Sequence, residues 1–331
     1  MWLPLALMLT VLSPSAQGRT TSDDATRGPR VPIGPTLPLC PMSTGGLDLQ
    51  MGREDVPDAG EELAPLSEEA RTALRQSLRA AFEGAWPQAM QAALRSEHRL
   101  CRGLDVVMWR PVHARRGGVR LLWRPKARQA LMLQVPHPFF DRGTLPQGVE
   151  IFEQLGARLL LISGHHRCAD STPSRCDGLT HVCSEDAQPY ARSDVAHNPN
   201  SLFHLLHEEA QQHWPDDVVI SLHGMGGAGF SVSDGTRGPV SEDSLVARLV
   251  RALLRHAPDL QTTTCNPFPL SPLVPRLCGT TNVQGRAMNG SPNPCTAAAQ
   301  VASGYFLHVE QGRKARAQPE LLLEALRQVL R

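Results

Sequence analysis

What most limits the fold of this chain is a set of short apolar runs, each closing on ionisable residues. Residues 130–135 (ALMLQV) lead to Pro136 and His137, and residues 159–162 (LLLI) lead to His165, His166 and Arg167. Residues 218–222 (VVISL) lead to His223, and residues 306–309 (FLHV) lead to Glu310. Runs of this length, rich in branched aliphatic residues, are the pattern of strands buried on both faces. Segments of helical periodicity separate them, over 148–155, 201–213, 242–256 and 319–330. Strand–helix alternation predicts an α/β fold with a mixed, mostly parallel central sheet and helices on both faces. Ahead of it, Ser67 provides an N-cap and Glu68 and Glu69 an acidic first turn, and Leu74, Leu78, Ala81 and Phe82 recur at helical spacing. A second helix is expected to run to about 98. Residues 104–109 and 119–123 flank an Arg-Arg-Gly-Gly turn and read as a hairpin.

The 331 residues are 41% hydrophobic, which supplies a large core. Lys plus Arg (33) balances Asp plus Glu (32), so nucleic acid is not expected as a partner, since phosphate binding shows as a basic excess. Residues 2–12 are apolar apart from Thr10, and Ala16-Gln17-Gly18 fits a cleavage site. Residues 1–18 therefore read as a signal peptide, too short to span a bilayer. That predicts a secreted or periplasmic protein with no stable membrane insertion. Residues 19–64, rich in Pro, Gly, Asp, Ser and Thr, read as a flexible leader, and 65–331 as the folded domain. An even count of eight cysteines in an exported chain points to disulfides. Cys168, Cys176 and Cys183 fall in one loop and Cys265, Cys278 and Cys295 in another, so bridges stapling two long loops are expected, with Cys40 tying down the leader. In a cytosolic chain the same residues would read as free buried thiols. Pairing and oligomeric state are not legible.

Ligands of open α/β sheets bind at the carboxyl ends of the strands, where His137, Arg167, His223 and Glu310 are expected to gather. Catalytic zinc takes about three protein ligands and leaves a position for water. His137 and His223 are the imidazole candidates. Asp141, just after His137, is the carboxylate candidate, with Glu150 in the following helix as its competitor. Glu310, on a separate strand, remains available as the base. His308 is expected on the opposite face of its strand from Glu310. Other histidines, including His165, His166, His197, His204 and His207, read mainly as core or surface residues. Arg192, Asp194, His197 and Asp234 are weighed as pocket-lining or structural. Asn282 and Arg286 rank first for substrate contact, because Cys278 and Cys295 flank their loop.

The pieces VPHPFFD (135–141), VVISLHG (218–224) and FLHVEQG (306–312) resemble the zinc carboxypeptidase and N-formylglutamate amidohydrolase families, over about 130–312. The resemblance implies a phosphorylase/hydrolase-like fold, zinc on His137, Asp141 and His223, Glu310 as the base, and Arg167 gripping a substrate carboxylate. The implied activity is hydrolysis of an amide or peptide bond in a small acidic or peptide-like substrate. Asp141 follows His137 by four positions, where the carboxypeptidase acid follows by three. Two other readings stay open: a peptidoglycan amidase with Glu150 on the metal, and a non-catalytic exported binding protein on a hydrolase scaffold.

Overall fold

A computed structural model of the chain describes residues 37–40, 42–43, 46–47, 59–61, 63, 66–113, 118–274 and 276–330. The expected signal peptide lies outside them. In the stretch read as a leader, β1 (Met42–Ser43) and β2 (Gly46–Leu47) form a small antiparallel ladder. Leu37 and Cys40 are buried, and the backbone at 38–40 bonds to Arg102.

The expected Ser67 cap is present: its hydroxyl accepts from the Ala70 N–H at 3.2 Å and starts α1 (Glu68–Phe82). Helix α2 (Trp86–Arg95) stops earlier than expected. Glu97 turns the chain at φ 59°, a conformation no helix contains, so His98 opens strand β3 (His98–Arg102) instead. The hairpin is β4 (Val107–Pro111) with β5 (Arg120–Trp123), paired antiparallel. Next come β6 (Gln129–Val135), α3 (Thr144–Leu155) and β7 (Ala157–Ile162). Gly156, at φ 65°, ends α3 in the left-handed conformation that a side chain resists. A long loop holds β8 (Leu179–Thr180) and β9 (Gln188–Pro189) and leads into α4 (Leu202–His213) and β10 (Val218–Gly224). Then follow β11 (Phe230–Ser233), α5 (Leu245–His256), β12 (Thr262–Thr264) and α6 (Val283–Met288). The chain closes with β13 (Phe306–Gln311), α7 (Arg313–Arg316) and α8 (Pro319–Val329).

Nine strands form one sheet in the order β12-β11-β13-β10-β6-β7-β5-β4-β3. The centre, β13-β10-β6-β7, is parallel throughout, and the strands outside it join antiparallel to it. The mixed α/β architecture expected from the sequence is thus present. Helices α3, α5 and α8 bury Phe152, Leu249 and Leu326 on one face, and α1, α2 and α4 bury Leu78, Ala89 and Phe203 on the other. Each such Leu or Phe contributes about 1.5–3 kcal/mol when fully buried. Within the described residues no helix is long and apolar enough to cross a membrane.

All eight cysteines pair. Cys168–Cys183 and Cys265–Cys278 close the two long loops on themselves, Cys176–Cys295 joins the loops, and Cys40–Cys101 fastens the leader to β3.

Candidate metal centre

Strand register builds the site. In the parallel pair β10–β13, His223 lies beside Glu310 and Ser221 beside His308. Neighbours in parallel register point to the same face, so both histidines and the glutamate share one side of the sheet. This corrects the expectation that His308 faces away. Two residues along a strand return to the same face, and His308 Nε2 lies 3.9 Å from Glu310 Oε1. The His308 ring stacks on His223 with centroids 4.4 Å apart. Gly279 packs against it so closely that a β-carbon there would sit 2.6 Å from the ring.

Strand β6 is the next neighbour of β10, and its end delivers His137 to the same rim. The chain then makes one helical turn, with the Asp141 N–H donating to the His137 carbonyl at 2.8 Å. Positions i and i+4 of a turn are neighbours, which brings Asp141 back under His137 and explains why a spacing of four serves here. Asp141 Oδ2 lies 3.4 Å from His137 Nδ1 and 3.8 Å from His223 Nδ1. Glu150 is half-buried on α3 and joins no potential ligand cluster among the described residues.

The outer nitrogens of both rings are engaged. His137 Nε2 is 2.8 Å from Asp194 Oδ1, and a carboxylate there requires the N–H on Nε2. His223 Nε2 is 3.0 Å from Ser221 Oγ. With that tautomer the His137 Nδ1 lone pair faces the Asp141 carboxylate, and the His223 Nδ1 lone pair faces it too when the Ser221 hydroxyl accepts from Nε2. Among the described residues, His137 Nδ1 and Asp141 Oδ2 are buried without a hydrogen-bond partner. Unsatisfied buried atoms cost free energy unless something fills the gap. Ligand atoms about 2.1 Å from a tetrahedral zinc lie about 3.4 Å apart, so the donor set and its spacing fit that ion.

Electrostatics separate the two rings: burial and Arg167 would lower His137, but Asp194 and Asp141 outweigh them and raise it above the ordinary imidazole value, whereas His223 shifts the other way. Burial, with His308, His137 and Arg167 adding to it, holds His223 well below the ordinary imidazole value, so it is a neutral ligand-type ring. Burial would raise the Asp194 carboxyl, but Arg167, His197 and His137 outweigh it and hold it well below the usual range. Burial and the Asp141 carboxylate push Glu310 up to about 8, against the pull of Arg167, His137 and Arg316. Its Oε2 has no hydrogen-bond partner among the described residues. A divalent cation beside Glu310 acts in the opposite direction and favours the ionised form.

Arg167 reaches this rim, bonding Asp194 Oδ2 through Nη2 and lying over the Phe140 ring with its Nε unpaired among the described residues. The other two residues ranked for substrate contact serve their own loop. Asn282 caps α6 by accepting from the Gly285 N–H at 2.8 Å. Arg286 binds Asp177 at 2.5 and 3.1 Å and the carbonyls of Thr280, Pro294 and Cys295, fastening the two disulfide loops together. Neither joins the His137–His223–Glu310 group.

Asp194 is the residue that sequence reasoning undervalued. It sits on an aperiodic loop next to a 3₁₀ turn, and its Oδ1 also lies 3.0 Å from His197 Nδ1. Carboxylates that orient ligand imidazoles come from anywhere in the chain, so no spacing rule announces them.

No family model and no curated protein matches this chain. Solved structures do. Zinc-free YNDL is 14% identical, with a TM-score of 0.34 over 64% of this chain and 88% of that one. A bacteriophage poly-gamma-glutamate hydrolase is 12% identical, with a TM-score of 0.34 over 64% of this chain and 86% of that one. Bovine thrombin-activatable fibrinolysis inhibitor, in complex with tick carboxypeptidase inhibitor, is 10% identical, with a TM-score of 0.36 over 74% of this chain and 93% of that one. Likenesses this coarse carry no argument about chemistry, so the function of this chain has to be argued from its own site.

Proposed function

We propose that this protein is a zinc-dependent hydrolase of an amide or peptide bond in a small acidic or peptide-like substrate. The observation that carries this reading is the convergence of His137 Nδ1, His223 Nδ1 and Asp141 Oδ2, buried acceptors that face one another across 3.4 and 3.8 Å. Those residues would hold the ion. When bound, zinc supplies Lewis acidity toward water and toward a carbonyl oxygen. Glu310 stands beside His223 in register and can take a proton from water at Oε2, the oxygen with no other partner. The same oxygen then returns that proton to the leaving amine nitrogen, which must be protonated to depart. Arg167, anchored by Asp194 at one nitrogen, presents its remaining guanidinium edge to a substrate carboxylate. Asp194 fixes the His137 tautomer and ring orientation, and the His308 ring limits where His223 and Glu310 can move. Four disulfides support a secreted or periplasmic setting.

The test is elemental analysis of purified protein beside His223→Ala, coupled to hydrolysis of a panel of N-acyl amino acids and dipeptides. Wild type is expected to carry one zinc per chain and the variant almost none, with hydrolysis lost in parallel. Equal zinc in both proteins would remove His223 from the site and the proposal with it.

A further inference from the structure

We propose that a cavity on the far side of the 192–198 segment is a second binding site, for a small organic anion with an apolar body. The cavity has a volume of about 370 Å³, within the range that takes a small molecule. It lies between α1, the start of α4 and the Cys168–Cys183 loop, and none of the residues facing it is His137, Asp141, His223 or Glu310. Its apolar wall includes the partly exposed side chains of Leu63, Leu66 and Leu202. Its charge is of one sign: Arg71, Arg175 and Arg192 face it, and no Asp or Glu does among the described residues.

Those charges are incompletely neutralised. Arg192 is held by Asp170, which is buried behind it, and by the Leu63 carbonyl at 3.1 Å. Arg71 donates to the Asn200 carbonyl at 2.6 Å, and its ion-pair partner Glu68 is 3.5 Å away and 87% exposed. Burial, with Arg75 adding to it, holds Arg71 below the ordinary guanidinium value against the pull of Glu68 and Glu208. Arg175 stands exposed at the mouth, at φ 68°, beside the Cys176–Cys295 bridge that fixes its backbone. An apolar pocket ringed by guanidinium forks fits a carboxylate on an aliphatic or aromatic body. An uncharged ligand would leave Arg71 with only its exposed Glu68 partner and Arg175 facing solvent, and a bare inorganic anion would leave the apolar wall wet.

The probe is benzoate, titrated calorimetrically into the full chain, with benzyl alcohol as the uncharged control. Saturable one-to-one benzoate binding that benzyl alcohol does not reproduce is expected. It should weaken at least about tenfold in Arg71→Gln/Arg175→Gln and stay within about twofold in Arg167→Ala. Thr172→Trp, an exposed position at the rim, should block binding by filling the cavity, which keeps the question decidable if the double variant folds poorly. Absence of saturable binding, equal affinity in the double variant and in Thr172→Trp, or loss in Arg167→Ala alone would overturn the proposal. The last outcome would assign the anion to the metal centre instead.

Discussion

The two ends of the parallel strands treat buried charge in opposite ways. At the amino ends, Arg158 donates to Asp217 at 2.7 Å and lies over the Trp214 ring. There too Arg124 binds Asp105, Glu153 and the carbonyls of Phe152 and Ala157. At the carboxyl ends, His137, Asp141 and Glu310 each keep a buried atom without a partner. At the amino end the buried charges are met by protein groups, with Trp123 Nε1 nearby left unpaired among the described residues, while the carboxyl end leaves several acceptors close to one another. A fold that needed both ends only for stability would satisfy both. The asymmetry marks the carboxyl rim as the place where stability is given up for binding.

The largest effect expected from this contrast is on turnover. Glu310→Gln should lower it by about 10²–10⁴-fold, because the amide cannot accept a proton, while zinc content stays unchanged. Single-turnover hydrolysis and elemental analysis on the same sample check this. Undiminished hydrolysis would remove Glu310 as the base, and a wild type without hydrolytic activity would favour a binding protein.

At the opposite end the effect should appear in stability and not in metal content. Arg158→Met leaves Asp217, a carboxyl that burial already raises, without its guanidinium partner and with only 5% of its side chain exposed. Losing one partner of a buried pair costs about 3–5 kcal/mol. Urea denaturation should show that loss with zinc stoichiometry unaltered. Zinc loss in this variant would break the proposed division between the two ends.

How much of this was legible beforehand follows from what sets each feature. The parallel strands were readable because burial on both faces writes itself as continuous apolar runs, and their ends located His137, His223 and Glu310. The cap at Ser67 was read because a serine before an apolar-periodic stretch has a local mechanism, whereas Ser201 and Ser244, which also cap, fell inside the helices expected over 201–213 and 242–256. The short edge strand β12, Thr262–Thr264, was not, because three threonines carry no periodicity. His308 was misplaced although strand alternation alone puts it beside Glu310. Asp194, Arg286 and the pairing of the cysteines depend on which loops meet in space, and nothing local encodes that.

A smaller effect tests the support behind the metal ligands. Asp194→Asn keeps the shape of the side chain but removes the charge that fixes His137, and zinc affinity should fall by about 10–100-fold. Competition with a chromophoric chelator measures it. Unchanged affinity would mean that Asp194 serves the loop, through Arg167 and His197, and not the ligand set.

The effect that is smallest at pH 5 bears on the unpartnered atoms themselves. In zinc-free protein, Glu310→Met removes a buried carboxyl whose value is raised from its ordinary one to about 8. The sign follows from proton counting. Between about pH 4.5 and 8 the unfolded chain has released this proton while the folded chain still holds it. Wild-type stability therefore falls as pH rises through that window, and the methionine variant lacks the loss. Its advantage in unfolding free energy, from urea denaturation, should be below about 1 kcal/mol at pH 5, growing toward pH 8 by no more than about 1.4 kcal/mol per unit. Saturating zinc should erase the trend, since the ion favours the ionised form and stabilises only the folded state. A pH-independent difference would show that Glu310 already has a partner in the folded protein, and the contrast between the two strand ends would then rest on His137 and Asp141 alone.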